Sequence, residues 1–220
     1  MSSPFLKLKD TAFLAKGHSR LVYQHPLEPG YLVKVIRPEV IEKRWGSGTA
    51  WYKRKRRYGR FISYVREAQE YIVGCVATGD APACFQKVIG FADTDLGLGL
   101  VTEAVRAPDG TLAPNIADLI ERGWFGSIER RALGSFFEEL LASPVTLSDL
   151  NLGALVYTGD VKTPGRFVLI DGLGTATILP LKTLSAYFNR RSKLGKRARL
   201  ELRIAQRLEK VTKAGVVQKA

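Results

Sequence analysis

Over the first 36 residues the apolar positions come in short blocks separated by polar turns, the pattern of strands. Phe13, Leu14 and Ala15, then Leu21, Val22 and Tyr23, flank the polar segment 16–20, which predicts a hairpin. After the turn at Pro29 and Gly30, residues 31–36 form a strand with β-branched and aromatic side chains on both faces. From Phe61 the period changes. Tyr64, Ala68, Tyr71, Ile72 and Cys75 recur at spacings of three and four and mark one face of a helix. Residues 85–90 and 98–105 then read as strands around a hairpin loop at 93–95. The pattern gives about five strands with one helix inserted after the third.

Beyond the break at Pro108, Asp109 and Gly110, helices dominate. Asn115 is placed to cap a helix at 116–122 that ends at Gly123. Ser127 is placed to cap a longer one whose face carries Ile128, Ala132, Leu133, Phe136, Phe137, Leu140 and Leu141, and Pro144 stops it. Near the C-terminus Leu200, Ile204, Leu208 and Val211 form a stripe beside Lys196, Arg199, Arg203, Arg207 and Lys210, predicting an amphipathic basic helix docked by its leucines.

Two features of this pattern carry chemistry. Lys34 shares a strand face with Leu32 and Ile36. An ammonium among apolar side chains is costly unless an anion meets it, so a carboxylate or phosphate is expected opposite. Glu67 falls on the apolar face of the following helix and is the expected partner, with Glu70 as second choice. The other feature is residues 145–174, where Asp149 follows the long helix and Asp171 closes the apolar run 167–170 before Gly172. Two carboxylates at such transitions, with a hairpin between them, suggest a metal and phosphate site. The turn at Gly17 and Ser19 has two readings, a plain hairpin turn or a phosphate cradle.

Composition adds a strongly uneven charge. The net charge is +13, yet residues 61–181 carry 15 acids against 8 bases. The excess lies at 43–60, with 8 bases and no acid, and at 182–219, with 12 bases and two acids. Trp45, Trp51, Tyr52 and Tyr58 interleave with the first group, which reads as a basic loop. These segments are either solvated faces or surfaces for an anionic partner: nucleic acid, a phosphorylated glycan or a membrane surface. Cys75 and Cys84 are too few for a disulfide framework and are expected to be reduced thiols. No apolar run approaches the ~18 residues of a membrane span, and no signal peptide is read, so a cytoplasmic location is expected.

The order of these features resembles the protein-kinase-like fold: hairpin, strand with Lys34, helix with Glu67, two strands, helices, Asp149, and a strand ending at Asp171 and Gly172. More closely, it resembles the YrbL family of bacterial kinase-like proteins, named for the PhoP regulatory network. Carrying that likeness are residues 20–26, Lys34 and Val35, Arg66 and Glu67, and the stretch from Val145 onward, within residues 13–175. The resemblance implies an α+β fold with an antiparallel sheet and one helix in a first lobe, residues 1–107 with a basic insertion at 37–60. A reduced, mostly helical second lobe, residues 108–220, would end in the basic helix.

It also implies ATP and Mg2+ as cofactors. Lys34 would hold the nucleotide α- and β-phosphates with Glu67 fixing it, and Gly17 and Ser19 would cover the phosphates. Glu103 and Val105 would offer backbone groups to the adenine. Asp149 would accept the proton of the attacking hydroxyl, and Asp171 would bind magnesium. The chain departs from the pattern where a metal-binding Asn is expected five positions after Asp149: Ala154 stands there, and Asn151, two positions on, is the substitute. With 49 residues after Asp171, the acceptor is expected to be a small molecule or glycan. The alternatives are a pseudokinase acting as a regulatory module, and a basic protein binding nucleic acid or an anionic surface.

Overall fold

The structure, a computed structural model, describes residues 5–48, 57–174 and 185–217. It divides into two compact units: residues 1–68 with 87–104, and residues 69–86 with 105–220.

The first unit is built on five strands, β1 (Ala15–Lys16), β2 (Arg20–Gln24), β3 (Tyr31–Ile36), β4 (Val88–Thr94) and β5 (Gly97–Glu103). They form one antiparallel sheet in the order β1-β2-β3-β5-β4. Alternation along β3 sorts its side chains. Val33 and Val35 pack on one face with Tyr23, Val101 and the N-terminal Leu6 and Leu8. Ile36 lies on the other with Leu100 and Tyr64. Gly99 is required on β5, because a Cβ there would come 2.6 Å from Val33.

Between β3 and β4 come α1 (Pro38–Trp45), a 3-10 turn (Gly59–Phe61) and α2 (Ile62–Thr78). The insertion at 37–60, read as a basic loop, is therefore helical in its first third. Pro38 opens α1, Glu39 lies in its first turn, and Lys43 and Arg44 lie in its last, matching the helix dipole. Trp51, Tyr52 and residues 53–56 lie outside the described residues.

The strand limits shift as well. The segment at 85–90 becomes a strand only from Val88, while Phe85 bridges to Leu169. Phe13 and Leu14 precede β1 and are about half exposed. Strand β4 runs through Thr94, whose hydroxyl donates to the Gly97 carbonyl and closes a tighter turn than expected.

The second unit packs α3 (Ile116–Glu121), α4 (Ser127–Ala142), the hairpin β6 (Leu155–Tyr157) with β7 (Phe167–Leu169), and α5 (Ala186–Val217). Asn115 caps α3 as expected, its Oδ1 accepting from Ala117 and Asp118 N–H groups while Asp118 returns a bond to the Asn115 N–H. On α4 the cap falls one residue early. The Glu129 carboxylate accepts the Gly126 N–H at 2.8 Å, so Ser127 is already the first helical residue and Ile128 is 48% exposed.

Leu133, Phe136, Phe137 and Leu140 of α4 meet Leu200 and Ile204 of α5 in the core. Polar bonds dock α5 too. Lys193 is fully buried, its Nζ donating to the Leu140 and Ser143 carbonyls at 2.7 and 2.6 Å. Asn189 Nδ2 donates to the Pro144 and Val145 carbonyls. Lys193 thus meets carbonyls left open where α4 ends, at the negative pole of its dipole, and Asn189 holds the chain just beyond that end. Burial pushes the Lys193 pKa down to about 8, against the pull of Glu70.

Candidate functional site

Register fixes the first group of functional side chains. In the β2–β3 ladder Val22 faces Lys34 and Arg20 faces Ile36, so Arg20 and Lys34 are diagonal neighbours on one sheet face. Glu67, in the second turn of α2, receives both. Arg20 donates to Glu67 Oε2 at 2.5 Å and Lys34 to Glu67 Oε1 at 3.4 Å, and all three residues are more than 90% buried. The expected Lys34 and Glu67 pair is thus brought together. Arg20 completes a triad that periodicity alone does not reveal. Its signal was available by counting the β2–β3 register outward from the turn at Pro29 and Gly30.

Tyr64 supports this group. Its hydroxyl donates to the Lys34 carbonyl at 2.9 Å and its ring lies 5.1 Å beneath the Arg20 guanidinium. Burial drives the phenol well above its ordinary pKa, so it stays a neutral donor.

Glu70, the second choice for Lys34, has another task in the second unit. Its carboxylate accepts the Thr146 N–H and hydroxyl, both at 2.6 Å. Ile72, expected on the buried face of α2, is 59% exposed. The buried line of α2 runs instead through Tyr64, Glu67, Glu70 and Gly74, because its carboxylates are bonded and Gly74 admits Pro82, which a Cβ would approach to 2.7 Å.

From Thr146 the chain enters the acidic stretch, which is locked to residues 172–174 by backbone bonds. Ser148 N–H and hydroxyl donate to the Gly172 carbonyl, Gly174 N–H donates to the Thr146 carbonyl, and Leu147 bridges Leu173. Asp149 is exposed. Partial desolvation raises its pKa, but the Asn151 amide, the Leu150 N–H and the cations Arg203 and Lys196 outweigh it and hold the carboxyl below the usual range. Asp149 is therefore ionised at neutral pH. Asp171 is also exposed, and its Oδ1 accepts the Gly172 N–H at 2.8 Å.

Asn151 is engaged at both ends of its amide. Its Nδ2 donates to Asp149 Oδ2 at 3.1 Å and its Oδ1 accepts from the Gly153 N–H at 3.0 Å, leaving one lone pair on that oxygen. Ala154 is 2% exposed and belongs to the core. Among the described residues, no group of three His, Cys, Asp or Glu could hold a metal. Magnesium asks less. It is bound by one or two carboxylates with phosphate oxygens and waters, and the exposed Asp171 carboxylate is a donor of that type.

The remaining predicted positions are structurally plain. Gly17 donates its N–H to the Arg20 carbonyl at 2.9 Å, and Arg37 holds the turn by donating to the Gly17 and His18 carbonyls and, through its backbone N–H, to that of Ser19. Glu103 ends β5 with its N–H on the Lys87 carbonyl, while the Val105 carbonyl accepts from Ala113. Next to Glu103, Thr102 is a site feature the sequence did not disclose. Its hydroxyl is fully buried and has no hydrogen-bond partner among the described residues.

A five-stranded antiparallel sheet, a helix inserted after its third strand, and a third-strand lysine paired to that helix's glutamate define a protein-kinase-like α+β protein. The family model described as PhoP regulatory network protein YrbL matches residues 6–204, and the chain belongs to that family. None of the curated proteins matches it.

Among solved structures the chain is similar to the Mycobacterium tuberculosis PknI kinase domain, at 16% identity and a TM-score of 0.43 over 73% of this chain and 57% of that one. A double mutant of the same domain gives 15% identity and 0.43 over 73% and 56%. Rad53 in complex with AMP-PNP gives 14% identity and 0.47 over 73% of this chain and 37% of that one. The chain thus spans less than two thirds of each of those chains.

Proposed function

We propose that this chain binds ATP with Mg2+ and transfers its terminal phosphate to a hydroxyl of a small molecule or glycan. The observation that carries this reading is the buried triad of Arg20, Lys34 and Glu67, in which a strand lysine is held by a carboxylate on the inserted helix. Within the first unit Lys34 would contact the nucleotide phosphates and Gly17 and Ser19 would cover them. The orphaned Thr102 hydroxyl supports a polar ligand beside Glu103, because a buried hydroxyl left without a partner is costly. Backbone groups of Glu103 and Val105 would receive the base.

In the second unit Asp149 would accept a hydrogen bond from the acceptor hydroxyl, orient it, and take its proton as the phosphate transfers. Its lowered pKa makes it an orienting group more than a strong base. Asp171 and Asn151 would hold magnesium, which when bound neutralises charge on the phosphates. Cys75 is half-buried and Cys84 buried, and a cytoplasmic location is part of this proposal. No helix among the described residues is long and apolar enough to cross a membrane.

A second reading, a pseudokinase that binds nucleotide without turnover, is favoured by Ala154, whose methyl group is buried and offers no ligand five positions after Asp149. ATP hydrolysis with magnesium, compared across the wild type, Asp149→Ala and Asp171→Asn, separates the two. Turnover lost in both variants supports the phosphotransferase, and identical rates in all three contradict it. Nucleotide binding with no turnover in the wild type selects the pseudokinase.

A further inference from the structure

The second unit contains a groove of about 270 Å3 between α4 and α5, formed entirely by its own residues. Its apolar lining includes Phe125, Leu133, Phe137 and Ile204. Two guanidiniums stand at it, each laid on an aromatic ring, Arg130 5.2 Å from the Phe125 ring centre and Arg197 5.1 Å from that of Phe137. Arg197 is balanced by Glu201 at 2.8 Å. Arg130 has no ion pair among the described residues, so the lining carries one net positive charge.

Gly134 is the decisive residue. It lies inside α4, lines the groove and is half-buried, and a Cβ built on it would meet nothing within 4 Å. Glycine inside a helix costs stability relative to alanine. Here neither close packing nor a positive φ requires it, so its effect is to keep the groove open.

We propose that this groove is a binding site for a small monoanionic amphiphile, a carboxylate or phosphate monoester carrying a short apolar chain or ring. The apolar part lies on Leu133, Phe137 and Ile204 over Gly134, and the head group is met by Arg130, a planar fork suited to two oxygens. The volume lies just below the ~300–1,000 Å3 range of ligand clefts, which suits a small ligand. The site is independent of the nucleotide reading, since it uses none of those residues.

The test is calorimetric titration of the full chain at low salt with octanoate and with octyl phosphate, in separate arms, and with octylamine as the cationic control. At least one anion is expected to saturate below about 5 mM, which is the millimolar affinity of a weak small-molecule site. Gly134→Leu, which fills the groove, and Arg130→Gln, which removes the charge, should each weaken binding about tenfold or more. Gly134→Ala should fold with an unchanged or higher Tm and bind more weakly than the wild type. No saturation by either anion, equal binding of octylamine, or undiminished binding in Gly134→Leu or Gly134→Ala overturns the proposal. Undiminished binding in Arg130→Gln overturns the anion requirement and with it the stated ligand class.

Discussion

Gly172 and Asp149 meet backbone to backbone: a Cβ on Gly172 would lie 2.3 Å from the Asp149 carbonyl oxygen, and Gly172 holds φ +95°. The residue after Asp171 is therefore glycine for two reasons, space and conformation. This contact and the Ser148, Gly174 and Leu147 bonds tie the two acidic segments into one body. Gly172→Ala should cost about 2–4 kcal/mol, the sum of overpacking and left-handed strain. Gly110→Ala, at φ +82° with open space around it, should cost only about 1 kcal/mol. Urea unfolding of both variants measures the difference, and equal costs would remove the backbone contact from the account.

The triad makes a second prediction. Glu67→Gln leaves Arg20 and Lys34 buried beside a neutral amide, so it should destabilise by about 3–5 kcal/mol. Arg20→Met should cost less, since Lys34 still meets Glu67. In a double-mutant cycle with Arg20→Met and Glu67→Met, a coupling of about 1–3 kcal/mol is expected. Strict additivity would show that the 2.5 Å contact contributes nothing.

Lys193 gives a pH dependence. Its folded pKa is depressed to about 8, below the ~10.4 of an unfolded lysine. Between those values the unfolded state binds more protons, so stability rises with pH and the cost of burying the charge is fully present below pH 8. From pH 7.5 to 10 the wild type should gain up to about 3 kcal/mol relative to Lys193→Met, whose own profile lacks this contribution. A difference that shrinks or stays flat as pH rises contradicts a desolvated ammonium at this position.

The anionic partner expected from the charge pattern of 182–219 can be tested on the exposed bases of α5. Arg191, Arg199 and Lys210 are exposed there, whereas Arg207 is paired with Glu121, Arg203 donates to the Leu150 carbonyl and Lys193 is buried. Binding to a model RNA duplex should weaken steeply with salt, and Arg191→Gln, Arg199→Gln and Lys210→Gln together should lower the slope by up to about 3. An unchanged slope would leave that surface solvated.

Much of this was legible in the sequence, because period and burial coincide in the strands and in α4. Lys34 and Glu67 could be paired because each breaks an apolar face in a neighbouring element. Arg20 was hidden, since its meaning depends on register. Thr102 sits in an ordinary strand pattern, and only its missing hydrogen bond distinguishes it. Lys193 reads as one more base of a basic helix, and only the end of α4 explains its burial. Ile72 and Ile128 misled because α2 buries carboxylates and α4 starts on Gly126 through the Glu129 cap.

The most direct test of the central claim is calorimetric binding of Mg·ATP to the wild type and to Lys34→Met. The account predicts saturable binding by the wild type, accompanied by stabilisation of about 2.7 kcal/mol at a ligand concentration a hundredfold above Kd, and loss of both in Lys34→Met. No binding by the wild type, or equal binding by a folded Lys34→Met, would contradict it.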